Sequence, residues 1–113
     1  MNNWGLKLMK TDEIERIKDL LWPIFQGSQT KQAILFGSVS RGSQTKKSDL
    51  DLLIVAQTDK RFFERFEAYE KIHLVIPDKS IDMLIYTPKE LINISHRPFI
   101  RRILEEGAVI YES

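Results

Sequence analysis

Gly37-Ser38 follows the apolar run Ala33-Ile34-Leu35-Phe36, and after ten intervening residues Asp49-x-Asp51 heads a second run, Leu50-Leu52-Leu53-Ile54-Val55. A Gly-Ser turn lets backbone N–H groups come close to a phosphate. Two aspartates two apart on an extended chain share one face, so their carboxylates can grip one divalent cation together. Without a cation, two carboxylates ~4 Å apart repel by roughly 4 kcal/mol at an effective dielectric near 20. That repulsion gives a fold nothing, and a bound Mg²⁺ reverses its sign. Magnesium takes one or two carboxylates and completes its shell with water and substrate phosphates. Chemistry that must stabilise both nucleophile and leaving group commonly uses two such ions. A phosphate cradle beside a carboxylate pair is the apparatus of phosphoryl or nucleotidyl transfer.

The plainer reading makes Gly37-Ser38 an ordinary turn, Asp49 a cap and Asp51 a solvated strand residue. It leaves unexplained why a second acid points the same way as the first on an otherwise apolar strand. From average residue usage, both motifs at this spacing should meet by chance in about one chain in a thousand of this length. Gly37-x-x-x-x-Gly42-Ser43 echoes a P-loop, but Ser43 stands where the essential lysine belongs and Gln44 where the metal-binding hydroxyl belongs. That argues against the P-loop.

The elements that must hold these residues follow from periodicity. Ile14, Ile17, Leu21 and Ile24 recur at helical spacing, with Asp12 as cap and Glu15 three residues on; Pro23 should kink or shorten that helix. Strands are predicted over 32–36 and 49–56, with a short helix near 39–42 after the turn. Phe62, Phe66, Tyr69 and His73 recur at four, three and four, marking a helix that ends before Pro77-Asp78. Residues 80–86 alternate, with Ile81, Met83 and Ile85 on one side and Asp82, Leu84 and Tyr86 on the other. Thr87-Pro88-Lys89-Glu90 reads as a capped helix start, Pro98 opens a last helix and Gly107 closes it. Residues 108–111 can return as an edge strand. Strands alternating with helices give an α/β (α+β two-layer) domain, a small mixed β-sheet with helices packed on one side.

At 113 residues the chain is read as a single domain, 1–113. A net charge of +1 sets up no global field toward nucleic acid or membrane, and direct nucleic-acid binding is not expected. The chain has no cysteine, hence no disulfide framework or thiolate metal site, which suits a reducing cytoplasm. The first residues lack the apolar stretch of a signal peptide, and no run is long enough to span a membrane. His73 and His96 read as structural or exposed, and Phe62, Phe63, Phe66 and Tyr69 as mostly core. Arg97, Arg101 and Arg102 read as a solvated basic helix end that could meet an acidic partner or RNA.

Asp82 is the candidate third carboxylate, an isolated acid on an apolar strand, with a solvated edge-strand aspartate as the alternative. The order and spacing of these motifs resemble the polymerase-beta-type nucleotidyltransferase superfamily. With the short length, Gly-Ser-x-x-x-Gly, Asp49-x-Asp51, one later Asp and a C-terminal Glu-Gly-x-x-x-Tyr-Glu, the chain looks like the minimal nucleotidyltransferases (MNT) over nearly its whole extent. The resemblance implies a polymerase-beta-like nucleotidyltransferase fold. It implies Mg²⁺ ions, two of them, on Asp49, Asp51 and Asp82, and a triphosphate held by Gly37 and Ser38. Arg41 would contact phosphate, while Lys46, Lys47 and Ser48 are weaker candidates. Asp82 would also sit near the attacking hydroxyl and take its proton.

Such proteins are typically encoded beside a HEPN-domain ribonuclease toxin and act as its antitoxin. What the resemblance implies is transfer of AMP from ATP to a tyrosine hydroxyl on that toxin, in the cytoplasm, by a protein AMPylase. Larger relatives carry a further domain that holds the acceptor; this chain is expected to lack one, which favours a macromolecular partner. Two alternatives remain open at this point: a non-catalytic antitoxin that neutralises by binding, and a small-molecule, aminoglycoside-type nucleotidyltransferase.

Overall fold

Short apolar runs that can be buried on a pleated surface form four strands: β1 (Thr30–Phe36), β2 (Leu50–Ala56), β3 (Ile81–Tyr86) and β4 (Ala108–Glu112). The computed structural model describes residues 4–37 and 49–113, with side chains from residue 13 onward. The short helix expected near 39–42 therefore lies outside the described residues. The sheet runs in the order β3-β2-β1-β4. β1 is antiparallel to β2 and to β4, while β2 and β3 are parallel, so the sheet is mixed as the sequence implied.

β2 lies inside the sheet, and every one of its residues except Asp51 is buried. On one face Leu50, Leu52 and Ile54 join Leu35, Met83 and Ile85 beneath Ile17, Leu21 and Phe25 of α1 (Trp4–Gln26). On the other face Leu53 and Ile34 meet Ile100 and Ile103 of α4 (Pro98–Glu106), flanked by Leu91 and Ile94 of α3 (Pro88–Ile94). The larger core and the main helical layer sit on one side, as expected. The second face is not bare, because short α3 and α4 lean on it and leave its end open.

A parallel neighbour requires a crossover, and residues 57–80 supply it. They contain a 3-10 helix (Phe62–Tyr69) and the short α2 (Lys71–Val75) rather than the single α-helix predicted from the aromatic spacing. The tighter winding sets Phe62 and Arg65, three apart, on one side. Phe62 packs on Tyr86 at 5.8 Å. The Arg65 guanidinium, only 7% exposed, donates to the Ile85 carbonyl and pairs with Glu90 at 2.6 Å. Tyr69 is buried and donates or accepts a bond to Thr30 at 2.7 Å, whereas Phe63 is 84% exposed and belongs to no core.

Two further boundaries differ from the sequence reading. α1 begins at Trp4, so Asp12 lies within the helix and is no N-cap. Pro23 does not stop α1, which runs on to Gln26. Losing one helical hydrogen bond is tolerated because the next turn buries Phe25 fully against Tyr69 and Tyr111. The Thr87 capping box forms as read, with Glu90 accepting from the Thr87 N–H and the Thr87 hydroxyl accepting from the Glu90 N–H. Gly107 closes α4 where a Cβ would strike Ile34 and the Ile103 carbonyl, so this helix can approach β1 only with glycine there.

Glu90 thus serves both the helix cap and Arg65. The Arg65 guanidinium, helped by the Thr87 N–H, holds the Glu90 carboxyl down at about 2, below its ordinary value near 4.5. A carboxyl lowered on folding stabilises the fold above about pH 4.5, and that contribution fades as pH falls toward about 2. Glu90→Gln should therefore cost about 2 kcal/mol at pH 7, less than a fully buried pair because Glu90 is partly solvated. In urea unfolding, the gap between wild type and Glu90→Gln should shrink steadily as pH drops from 5 to 3. A pH-independent gap would count against the ion pair.

Candidate functional site

Gly37 ends β1 with φ +78°, a left-handed turn that an L side chain adopts only with strain. A Cβ at Gly37 would fall onto the Asp51 carboxylate oxygen Oδ2, so the turn is packed directly against that acid. Asp51 pairs across the sheet with Phe36 on β1 and with Asp82 on β3. The Leu50 N–H donates to the Ser80 carbonyl at 2.8 Å, which fixes where β2 and β3 begin side by side. Residues paired directly across a sheet project from the same face, so Phe36, Asp51 and Asp82 form one row across three strands. Their face is the one that carries Ile34, Leu53 and Leu84 and that α4 partly covers.

Asp51 is half-buried, Asp82 is exposed on the outer strand, and Asp49 is exposed immediately before β2. The exposure of Asp82 suits an edge strand, but its register with Asp51 is what a merely solvated aspartate leaves unexplained. Among the described residues no group of three acids or histidines converges closely enough to enclose a metal. The donors themselves fit a hard cation: carboxylate oxygens, two in register and open to solvent, with room for water and phosphate to complete the shell. Ser38, Arg41, Lys46, Lys47 and Ser48 lie outside the described residues.

Beside Asp51 a cleft of about 300 Å³ opens between the sheet and α4, lined by Phe36, Gly37, Asp51, Phe99, Arg102, Ile103, Glu106 and Gly107. Phe99, Arg102, Ile103 and Glu106 lie at helical spacing on one face of α4, which forms the cleft wall. Sequence reasoning passed over them. Arg102 was read only as part of a basic helix end, and it does sit in a loose pair with Glu106 at 3.5 Å, as Arg101 does with Glu105 at 3.6 Å. Exposed pairs of this kind contribute little to stability. The overlooked signal was the placement of Arg102 on the same helix face as Phe99. His73 and His96 are exposed and lie away from the cleft lining.

A second cleft, about 360 Å³, lies at the opposite end of the sheet, lined by Ser28, Thr58, Lys60, Arg65 and Tyr69 among others. Ser28 and Arg65 there are already engaged, Ser28 with Thr30 at 2.6 Å and Arg65 with Glu90 and with backbone carbonyls. It holds no acid pair.

The chain is similar to known proteins over most of its length. The family model for polymerase beta nucleotidyltransferase domains matches residues 19–113. A candidate protein adenylyltransferase of Methanocaldococcus jannaschii is 38% identical over 82 residues, covering 72% of this chain and 78% of that protein. A toxin–antitoxin crystal structure with AMP-PNP aligns with TM-score 0.63 at 19% identity, over 85% of this chain and 73% of that one. A complex of tri-AMPylated Shewanella oneidensis HEPN toxin with MNT antitoxin aligns with TM-score 0.51 at 16% identity, over 92% and 73% of the two chains. The structural matches establish the fold.

The contact between Gly37 and Asp51 is directly testable. Gly37→Ala should lower stability by about 1–2 kcal/mol from the left-handed backbone, with a further loss from displacing Asp51. In a double-mutant cycle, Asp51→Ala should recover that further loss but not the backbone cost. Simple additivity in urea unfolding would show that the two residues do not press on each other.

Proposed function

Because the chain belongs to the polymerase beta nucleotidyltransferase family, matched over residues 19–113, we propose that it moves AMP from ATP to a tyrosine hydroxyl of a HEPN-domain partner and acts as that partner's antitoxin. The observation that carries this reading is the in-register pair Asp51 and Asp82 beside the Gly37 turn. The M. jannaschii relative, named for protein adenylyl transfer, supports the reaction class. The structural neighbours that pair an MNT antitoxin with a HEPN toxin support the partner. The cysteine-free composition suits action in the cytoplasm.

In this reading Asp49, Asp51 and Asp82 would hold Mg²⁺, two ions in all. When bound, the metal neutralises charge that builds on the transferred phosphoryl group. The Gly37 and Ser38 amides and Arg41 hold the triphosphate. Asp82, on the outer strand and open to solvent, faces the incoming acceptor and accepts the hydroxyl proton. The acceptor oxygen forms its bond to the α-phosphorus as the bond to the bridging oxygen breaks, and pyrophosphate leaves. No covalent intermediate with the chain is needed, so positioning and charge compensation account for the rate.

The test is label transfer from α-labelled ATP, with Mg²⁺, to the HEPN-domain protein encoded beside this chain. Label should appear on the partner, and Asp51→Asn or Asp82→Asn should reduce it by about 10²-fold or more with the fold retained. A retained rate in either variant would remove that carboxylate from the site. A stable complex without label would instead favour neutralisation by binding alone.

A further inference from the structure

The row across the sheet has a direction. Asp51 sits in the middle, Asp82 on its β3 side and Phe36 on its β1 side. On the Phe36 side α4 raises a wall. Its Phe99 meets Phe36 edge-on, with ring centroids 5.9 Å apart and planes at 81°. Phe99 remains 58% exposed although it lines a cleft whose floor is a carboxylate. An aromatic ring held in place by a neighbour, yet with much of its surface open beside a polar site, is a stacking platform in want of a flat partner.

Resting on the nucleotidyl-transfer reading above, we infer that Phe99, braced by Phe36, forms the seat of the nucleobase of the incoming nucleoside triphosphate. The acceptor then approaches from the opposite flank, past Asp82. The two substrates then meet at Asp51, where the attacking oxygen lies opposite the departing pyrophosphate. Base stacking on an aromatic ring tolerates any base, because each has a π-face. Besides Asp51 the cleft lining offers Arg102 and Glu106, paired with each other at 3.5 Å, and no amide side chain. The seat therefore sets affinity for a nucleotide more than choice among bases.

The experiment separates base from phosphate. A non-hydrolysable ATP analogue and inorganic tripolyphosphate, each with Mg²⁺, are titrated calorimetrically into wild type, Phe99→Ala and Phe99→Trp. Thermal melts check that the exposed-site variants remain folded. Phe99→Ala should bind the analogue about tenfold more weakly, Phe99→Trp should bind it as well as wild type, and tripolyphosphate affinity should be the same in all three. Equal losses for both ligands, or no loss for either, would overturn the base seat while leaving the nucleotidyl-transfer reading in place. Failure of wild type to bind either ligand would remove the functional reading and the base seat with it.

Discussion

Everything at the proposed site depends on holding two like charges side by side. Neighbouring strands run ~4.8 Å apart, and carboxylates brought to that separation would repel by roughly 1–3 kcal/mol, depending on how much water screens them. Asp51 and Asp82 cannot escape by sliding, because the Leu50–Ser80 hydrogen bond and the parallel ladder fix the register. A slip of one residue would turn Leu50, Leu52 and Ile54 out of the main core. Burial of those side chains, each contributing about 1.5–3 kcal/mol, outweighs the repulsion. The hydrophobic pattern of β2 is thus what keeps a destabilising pair in place.

The other charged cluster works in the opposite sense. Arg65 reaches from the 3-10 helix to a β3 carbonyl and to the cap of α3, so one guanidinium ties the crossover, the sheet and the helix after it. Every acceptor it meets is satisfied, and no buried side-chain polar atom among the described residues lacks a partner. The ends of the sheet therefore divide the labour. One end pairs Arg65 with Glu90 internally, and at the other Asp51 lines an open cleft.

Much of this could be read from the chain because the signals were local. Alternation over 80–86 gave the facing of Asp82, and Thr87-Pro88-Lys89-Glu90 gave the helix start down to its reciprocal bonds. What escaped depended on partners distant in sequence. The aromatic spacing of Phe62, Phe66 and Tyr69 suits an α-helix, but the docking of Arg65 and Phe62 on β3 accompanies a 3-10 winding. The fully buried Phe25 carries α1 past a proline that local rules would make its end. The helical spacing of Phe99 and Arg102 could be read, but only the approach allowed by Gly107 brings that face opposite Asp51.

The parallel pairing of β2 and β3 has a consequence for how the protein comes into being. Asp51 and Asp82 are immediate neighbours in space, yet the whole crossover from 57 to 80 lies between their strands. Closing a loop of that length costs entropy before any ladder bond repays it, and non-local parallel pairs are slow to form. The hairpin-like pairing of β1 with β2 brings Gly37 to Asp51 without the crossover; the second acid arrives only when the crossover has docked. A chain that has paired β1 with β2 but not yet docked the crossover therefore holds the Gly37–Asp51 contact and lacks the register of Asp51 with Asp82.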